Sequence, residues 1–120
     1  MKYTLTLPHL PPKELSPNRK LHWAVKSPAT RTAREETGWI AKSEYKGETM
    51  QKVRVNYLFR TKSRICRDCD TLIRCCKPII DGLVDAKVFK DDNWECMEIG
   101  SARVVLDDRE STEITVESVE

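Results

Sequence analysis

Alternation of apolar and polar residues over Lys52–Arg60, interrupted only at Leu58, is the feature that most constrains the fold. In the segment KVRVNYLFR, every second side chain is apolar: Val53, Val55, Tyr57 and Phe59. Successive side chains of an extended strand leave opposite faces, so these four would all point the same way. The segment therefore predicts a strand with one buried face.

Three further segments predict strands. Residues 2–7 alternate in the same way. Residues 97–106 and 112–119 read as the last two strands, and the segment DDRES between them is a turn. Residues 8–20 contain four prolines, so they predict an extended loop.

Two segments have helical periodicity. A helix should begin at Ser27, as an N-cap followed by Pro28 at the first helical position, and end near Tyr45. A second pattern of apolar residues runs from about 68 to 85. Pro78 lies inside that run and should kink or restart the helix.

The predicted elements follow the order β-α-β-α-β-β. Together with the length of 120 residues, this order predicts a single α+β domain over residues 1–120, a small mixed sheet with two main helices packed on it. No segment approaches the roughly 20 apolar residues of a membrane span, and the N-terminus lacks the apolar core of a signal peptide. We therefore expect a cytoplasmic protein with no membrane partner.

Charge is segregated along the chain although the net charge is only +2. Most Lys and Arg lie within residues 1–67, and six of the eight Asp lie between Asp68 and Asp92. This pattern fits a metal site inside a phosphate-binding surface, but solvated charged faces would produce it as well. The residues expected to contact DNA are Asn18, Lys20, Arg31, Arg34, Arg60, Lys62, Arg64 and Arg67.

Two acidic pairs suggest a metal site. Asp68 and Asp70 are two residues apart, so both carboxylates would leave one face of an extended segment. Asp91 and Asp92 lie on a loop that can fold back towards them. A divalent cation relieves the repulsion between neighbouring carboxylates, and their oxygens suit Mg²⁺ or Mn²⁺. The chemistry implied is metal-assisted hydrolysis of a phosphodiester.

Lys77 and Asp81 lie on the helix between those pairs. Asp70 and Asp81 are eleven residues apart, about three helical turns, which would place them on one side. The ammonium of Lys77 would then contact a phosphate or stabilise developing charge. Because Lys77 and Asp81 are four residues apart, the spacing equally allows an ordinary ion pair.

The stretch over residues 67–92, RDCDTLIRCCKPIIDGLVDAKVFKDD, resembles the RusA family of Holliday junction resolvases, particularly its phage and prophage forms. Members show D-x-D-N, then K-P-x-x-D-G-L-V-D-A-G-V, then D-D, and the N-terminal LTLPHLPPKELSPNRKLHW is also similar. The resemblance implies a RusA-like fold and a Mg²⁺-dependent homodimer that nicks four-way DNA symmetrically in recombination and repair. The implied metal-binding and catalytic carboxylates are Asp68, Asp70 and Asp92. Lys77 matches the functional lysine, and Asp81 and Asp91 match further acidic positions.

Two residues depart from the family pattern. Thr71 stands where Asn usually follows the aspartate pair, and Lys87 stands where Gly is common. Threonine keeps a hydroxyl but lacks the amide, so the orientation of Asp70 would differ. Lys77 also lies three residues further from Asp70 than in the better-known bacterial form, which keeps it on nearly the same helix face.

Two other classes of function stay open. Cys66, Cys69, Cys75 and Cys76 are a candidate Zn²⁺ cluster, although adjacent cysteines on a helix diverge and buried thiols explain them as well. A non-catalytic module that binds branched DNA would use the same basic residues. A family member that binds without cutting would even keep the same aspartates.

Overall fold

A mixed sheet of four strands forms the centre of the fold. The computed structural model describes residues 1–12, 15, 23–64 and 68–119, with the side chains of residues 23–27 left out. The elements are β1 (Lys2–Leu7), α1 (Trp23–Glu44), β2 (Val53–Thr61), α2 (Cys69–Cys75), α3 (Lys77–Asp85), β3 (Met97–Leu106) and β4 (Ser111–Ser118). The α+β class is confirmed. None of the described helices is both long and apolar enough to cross a bilayer.

The strands lie in the order β1-β4-β2-β3. Strand β4 pairs antiparallel with β1 and β2, whereas β2 pairs parallel with β3. A short connection usually joins neighbouring antiparallel strands, but here β2 lies between β3 and β4. The connection passes the end of β2, where the N–H of Asp107 donates to the carbonyl of Thr61 over 2.9 Å.

The core lies on the face of β2 that the alternation predicted. Val53, Val55 and Phe59 are fully buried, and Tyr57 is 3% exposed, so the predicted buried face is confirmed. They join apolar residues of the other strands and the helices in one cluster, including Leu5, Leu7, Leu72, Ile79, Leu83, Ile114 and Val116. Burial of these side chains is the main force that holds the helices on the sheet.

The predicted beginning of the first helix is wrong. Helix α1 begins at Trp23, and Pro28 lies inside it. A proline costs a helix one hydrogen bond and crowds the preceding turn, but only about one turn precedes Pro28 here. The rest of α1 is held by burial of small residues such as Ala33, Thr37 and Ala41. Ser27 does not cap the helix, because the helix already includes it.

The predicted break at Pro78 is confirmed. Helix α2 ends at Cys75, and α3 begins at Lys77 with the proline in its first turn. A proline is tolerated there because the first N–H groups of a helix have no intrahelical acceptor. Residues 69–85 therefore form two short helices and not one kinked helix.

Helix α3 ends in a Schellman motif at Lys87. This is the position where the RusA pattern that the chain resembles has glycine. Lys87 has a φ of 62°, in the left-handed region. Its N–H donates to the carbonyl of Val84 over 2.9 Å, and the N–H of Val88 donates to Leu83 over 3.1 Å. Val88 and Leu83 are both fully buried, which completes the motif. The turn thus forms with lysine, at the cost of a strained backbone.

Helices α1 and α3 approach closely at two glycines. A Cβ added at Gly82 would lie 2.6 Å from the carbonyl oxygen of Arg34 and 2.8 Å from the Cβ of Thr37. A Cβ added at Gly38 would lie 3.6 Å from the carbonyl oxygen of Gly82, which is an ordinary contact. The missing side chain of Gly82 therefore sets the spacing between the two helices.

Candidate functional site

Lys77 joins two carboxylates from different parts of the chain. Its Nζ donates to Oδ1 of Asp81 over 2.9 Å and to Oδ2 of Asp92. The side chains of both aspartates are 26% exposed, and that of Lys77 is 60% exposed. The ion pair with Asp81, which the spacing allowed, is thus present. The contact with Asp92 brings the second acidic pair to the beginning of α3.

The loop that carries Asp92 is held by backbone bonds to Met50. The N–H of Met50 donates to the carbonyl of Val88 over 3.0 Å, and the N–H of Lys90 donates to Met50 over 2.9 Å. Phe89, between them, is 1% exposed. The Schellman turn, the buried phenylalanine and this bridge lead directly to Asp92, so the core positions its carboxylate.

Asp91 has a different role from that of its neighbour. One of its carboxylate oxygens accepts the N–H of Asp92 over 2.8 Å, and the other accepts the amide of Asn93 over 3.0 Å. The side-chain oxygen of Asn93 in turn accepts the N–H groups of Glu95 and Cys96. Asp91 and Asn93 therefore shape the turn, and Asp92 is the residue that reaches Lys77.

The first acidic pair lies at the beginning of α2. Asp68 is the N-cap residue by backbone position, but its exposed side chain makes no capping bond. Asp70 lies in the first helical turn and accepts a bond from Arg74 over 3.0 Å. Because Asp70 is helical, the argument that an extended segment puts both carboxylates on one face does not apply. The shared helix side predicted for Asp70 and Asp81 also fails, since the two residues lie on different helices.

A groove of about 380 Å³ lies beside Asp92, and neither Asp68 nor Asp70 is among its lining residues. Its polar residues are Arg74, Lys77 and Asp92, and Arg74 also binds Asp70. The remaining lining residues are Tyr57, Ile73, Ile80, Met97 and Ile99. Asp70 and Asp92 thus each contact a cation that lines the same groove.

The contacts of Lys77 shift two pKa values in ways that keep both groups charged at neutral pH. Burial lowers the pKa of Lys77, but its bonds to Asp92 and Asp81 outweigh burial and leave the pKa above its ordinary value. The bond from Lys77 holds the pKa of Asp92 below its ordinary value, against the opposing effect of burial. The site is therefore a cation between two carboxylates.

The donor set fits Mg²⁺ better than Zn²⁺. Within the described ranges, no three His, Cys, Asp or Glu side chains form a group that could hold a metal ion. Mg²⁺ commonly binds through one or two carboxylates, with water and substrate phosphates as its other ligands, so Asp70 and Asp92 suit it chemically. Zn²⁺ needs a closed set of ligands. Of the candidate cysteines, Cys69 is exposed, Cys75 and Cys76 are buried, and Cys66 lies outside the described residues.

Two of the expected DNA contacts are bound to carboxylates. The guanidinium of Arg34 makes two bonds to Asp85, of 2.6 and 2.9 Å. That of Arg60 lies 2.8 Å from Glu113 and 3.5 Å from Asp107. Either arginine would have to share its donors to bind a phosphate.

The other expected DNA contacts fall into two groups. Arg31, Lys62 and Arg64 are exposed, so their charged ends face solvent. Asn18, Lys20 and Arg67 lie outside the described residues.

Two exposed tryptophans were not identified as site residues from the sequence. Trp39 is 80% exposed and Trp94 is 85% exposed. The helical periodicity of residues 27–45 predicts Trp39 beside the apolar face of α1. In the structure its side chain lies on the solvent side of the helix. For Trp94 a signal was present, since a tryptophan in the polar segment DDNWE has no apolar face to join.

Comparison of the chain with protein-family models finds no match, and comparison with curated proteins finds none either. The resemblance to the RusA family therefore stays a prediction, and the function is inferred from the geometry of the site.

Proposed function

We propose that this protein is a Mg²⁺-dependent endonuclease that resolves four-way DNA junctions by paired, symmetric nicking. Mn²⁺ would substitute for Mg²⁺. The observation that carries the proposal is the groove lined by Arg74, Lys77 and Asp92, in which Lys77 binds Asp92 while Arg74 binds Asp70 outside the lining. Two cations with a carboxylate on each are suited to a phosphodiester, whose phosphate is anionic and whose cleavage would use a metal-bound water.

The residues that would hold the metal are Asp70 and Asp92, with Asp68 as a third carboxylate. A bound Mg²⁺ would supply an activated water and would neutralise charge on the phosphate oxygens. Asp68 is the N-cap residue of α2 and Asp70 lies in its first turn, so both lie at the positive end of the helix dipole. This set agrees with the ligands that the resemblance implies.

Lys77 would bind the phosphate while Asp81 positions it. A phosphate oxygen that enters the groove would accept a bond from the ammonium of Lys77 beside Asp92. A lysine has three N–H donors, and Asp81 and Asp92 accept from the same ammonium. The bond to Asp81, a turn away on the same helix, keeps the amine at the beginning of α3. Arg74 would contact a neighbouring phosphate in the same way, by sharing its bond to Asp70.

A homodimer in the cytoplasm completes the proposal. Two identical sites related by a two-fold axis can cut two symmetry-related strands of a four-way junction. The described residues of one protomer form one candidate site, and a second copy would supply the site for the paired nick.

The second candidate function is a module that binds branched DNA without cutting it. One observation favours it: the ammonium of Lys77 already neutralises Asp92, which is the arrangement of a structural ion pair. Phosphate binding by Arg31, Lys62 and Arg64 would serve this function equally well, since it requires no metal.

Cleavage of a synthetic four-way junction, with Mg²⁺ titrated, separates the two functions. We expect the wild type to nick two strands symmetrically, and Asp70→Asn and Asp92→Asn each to lose at least about 100-fold in rate while still binding the junction. Asp108→Asn is the matched control, since this exposed aspartate lies in the β3–β4 turn, outside the groove.

Three results would contradict the proposal. Unchanged cleavage by Asp70→Asn would remove the catalytic role of the carboxylates, and junction binding without any nicking would favour the binding module. Stoichiometric zinc in the purified protein, lost on alkylation of cysteine, would favour a zinc site instead. Light scattering tests the dimer, since a monomer that makes paired nicks would exclude it.

A further inference from the structure

A second groove, of about 550 Å³, lies on the outer face of α1. Six of its lining residues lie along one side of α1: Arg31, Arg34, Glu35, Gly38, Trp39 and Lys42. The seventh, Asp85, belongs to α3. The six run from the middle of α1 to its last turn. This groove does not share a lining residue with the candidate active site.

Trp39 is the main apolar surface of the α1 groove. Its side chain is 80% exposed, an unusual position for the largest apolar side chain. Gly38 beside it is buried and has no side chain to cover the indole. An exposed flat aromatic between charged residues is the arrangement on which proteins stack unpaired bases.

The cations of the α1 groove lie on both sides of this tryptophan. Arg31 precedes it by two helical turns, and Lys42 follows it by one. Both are exposed, and within the part of the chain that the structure describes neither makes an ion pair. Arg34, in contrast, is bound to Asp85. Arg31 and Lys42 are separated by about 16 Å along the helix axis, so their long side chains would reach phosphates on the two sides of a base stacked on the indole.

A chain of ion pairs links the α1 groove to the candidate active site. Nη1 of Arg34 lies 4.0 Å from Oδ2 of Asp81. The other oxygen of Asp81 accepts the bond from Lys77, which also binds Asp92. The groove and the site therefore lie at two ends of one row of contacts along α3.

We propose that the α1 groove binds single-stranded DNA, with an unpaired base stacked on Trp39 and its flanking phosphates on Arg31 and Lys42. The choice of DNA rests on the proposed function, because the strand that is cut at the candidate active site would be DNA. The carboxylate of Glu35 can accept a bond from the amino group of a base. The groove would thus hold the strand that leaves the active site.

The composition of the groove disfavours other partners. An apolar peptide or an acyl chain would need several large apolar side chains, whereas Trp39 is the only one among the seven lining residues. A planar base with two separated phosphates uses both the indole and the separated cations.

Fluorescence anisotropy of a labelled oligothymidylate of about 12 nucleotides, with no divalent metal present, tests the inference. We expect Trp39→Ala to weaken binding about 10-fold and Trp39→Phe to keep most of the affinity, since phenylalanine also stacks. Lys42→Gln should weaken binding less and reduce the salt dependence by about one phosphate contact. Lys2→Gln, at an exposed position on β1, is the matched control and should bind as the wild type does.

Each outcome decides for or against the groove. Binding by Trp39→Ala equal to that of the wild type would overturn it, as would equal losses in Trp39→Ala and Trp39→Phe. Anionic vesicles or an acidic peptide that bind in place of the oligonucleotide would also overturn it. Unchanged thermal midpoints would show that the variants are folded, which the exposure of Trp39 leads us to expect.

Failure of this inference can be distinguished from failure of the proposed function. A protein that nicks the junction but binds the oligonucleotide independently of Trp39 contradicts the α1 groove alone. A protein that binds the oligonucleotide through Trp39 but never nicks contradicts the nuclease alone.

Discussion

The two carboxylates proposed to share a metal lie in opposite settings. The side chain of Asp92 is 26% exposed, is bound to Lys77, and follows a loop that backbone bonds fix to Met50. That of Asp70 is 65% exposed and is bound to Arg74 on the same seven-residue helix. Contacts distant in sequence therefore position Asp92, whereas the local helix positions Asp70. The difference teaches that one half of the candidate site is built with the core and the other half depends on a short surface element.

Removal of Lys77 should have the largest effect, and it tests the half of the site that the core builds. We expect Lys77→Gln to lower the rate of junction nicking about 100-fold, because the ammonium that would stabilise charge on the phosphate is lost. The Mg²⁺ concentration for half-maximal activity should not rise, since the cation that competes for Asp92 is removed. Lys90→Gln, exposed on the same loop, is the control. Full activity of Lys77→Gln would place the phosphate elsewhere.

Substitution of Gly82 should disturb the helix pair that supports Lys77 and Asp81. Its Cβ would meet the carbonyl oxygen of Arg34 at 2.6 Å, so Gly82→Ala should lower the free energy of unfolding by about 1–3 kcal/mol. Gly38→Ala meets only an ordinary 3.6 Å contact and should be neutral or stabilise by up to about 1 kcal/mol through helix propensity. Denaturant unfolding measures both variants. Equal effects would show that the close approach of α1 and α3 does not depend on Gly82.

Relief of backbone strain at Lys87 should stabilise the protein, whereas substitution of Gly82 should destabilise it. Lys87 belongs to the turn that leads to Asp92, so this change tests the half of the site that the core builds. Lys87 has a φ of 62°, which glycine adopts without steric cost. We expect Lys87→Gly to raise the free energy of unfolding by about 0.5–1 kcal/mol, after the larger entropy of glycine in the unfolded chain is subtracted. Lys87→Ala, which keeps the Cβ, should not stabilise the protein. A thermal melt that shows no difference between the two would contradict a left-handed turn before Asp92.

The smallest expected effect concerns the ion pair between Arg34 and Asp85. The bond from Arg34 holds the pKa of Asp85 below its ordinary value. The stabilisation is therefore complete above the ordinary carboxyl pKa of about 4 and is lost as the pH falls through the lower pKa of the folded state. Both side chains are nearly half exposed, so solvent screens the pair and we expect its contribution to be small.

Unfolding followed between about pH 2 and 7 measures that contribution. Asp85→Asn should lose it and should show a weaker fall in stability at acid pH than the wild type does. Asp108→Asn, an exposed aspartate outside the helix pair, is the control. A steeper acid dependence in Asp85→Asn than in the wild type would contradict the direction of the shift.

Local patterns in the sequence were enough to predict the strands and the break between the helices. Alternation over β2 identified its buried face, because a strand has a period of two whatever surrounds it. Pro78 predicted the restart at α3, because a ring without an N–H is tolerated only in a first helical turn. The ion pair of Lys77 with Asp81 was open to prediction for the same reason, since residues four apart on a helix are neighbours.

Contacts between distant residues decided the rest. Helix α1 began at Trp23 in spite of the cap signal at Ser27, and β2 separated two strands that a short turn connects. The exposure of Trp39 depended on which side of α1 faced α3. Periodicity reports which residues share a face, but only the folded chain determines what that face meets. The carboxylate of Asp92 reaches Lys77 for that reason, fifteen residues away in sequence.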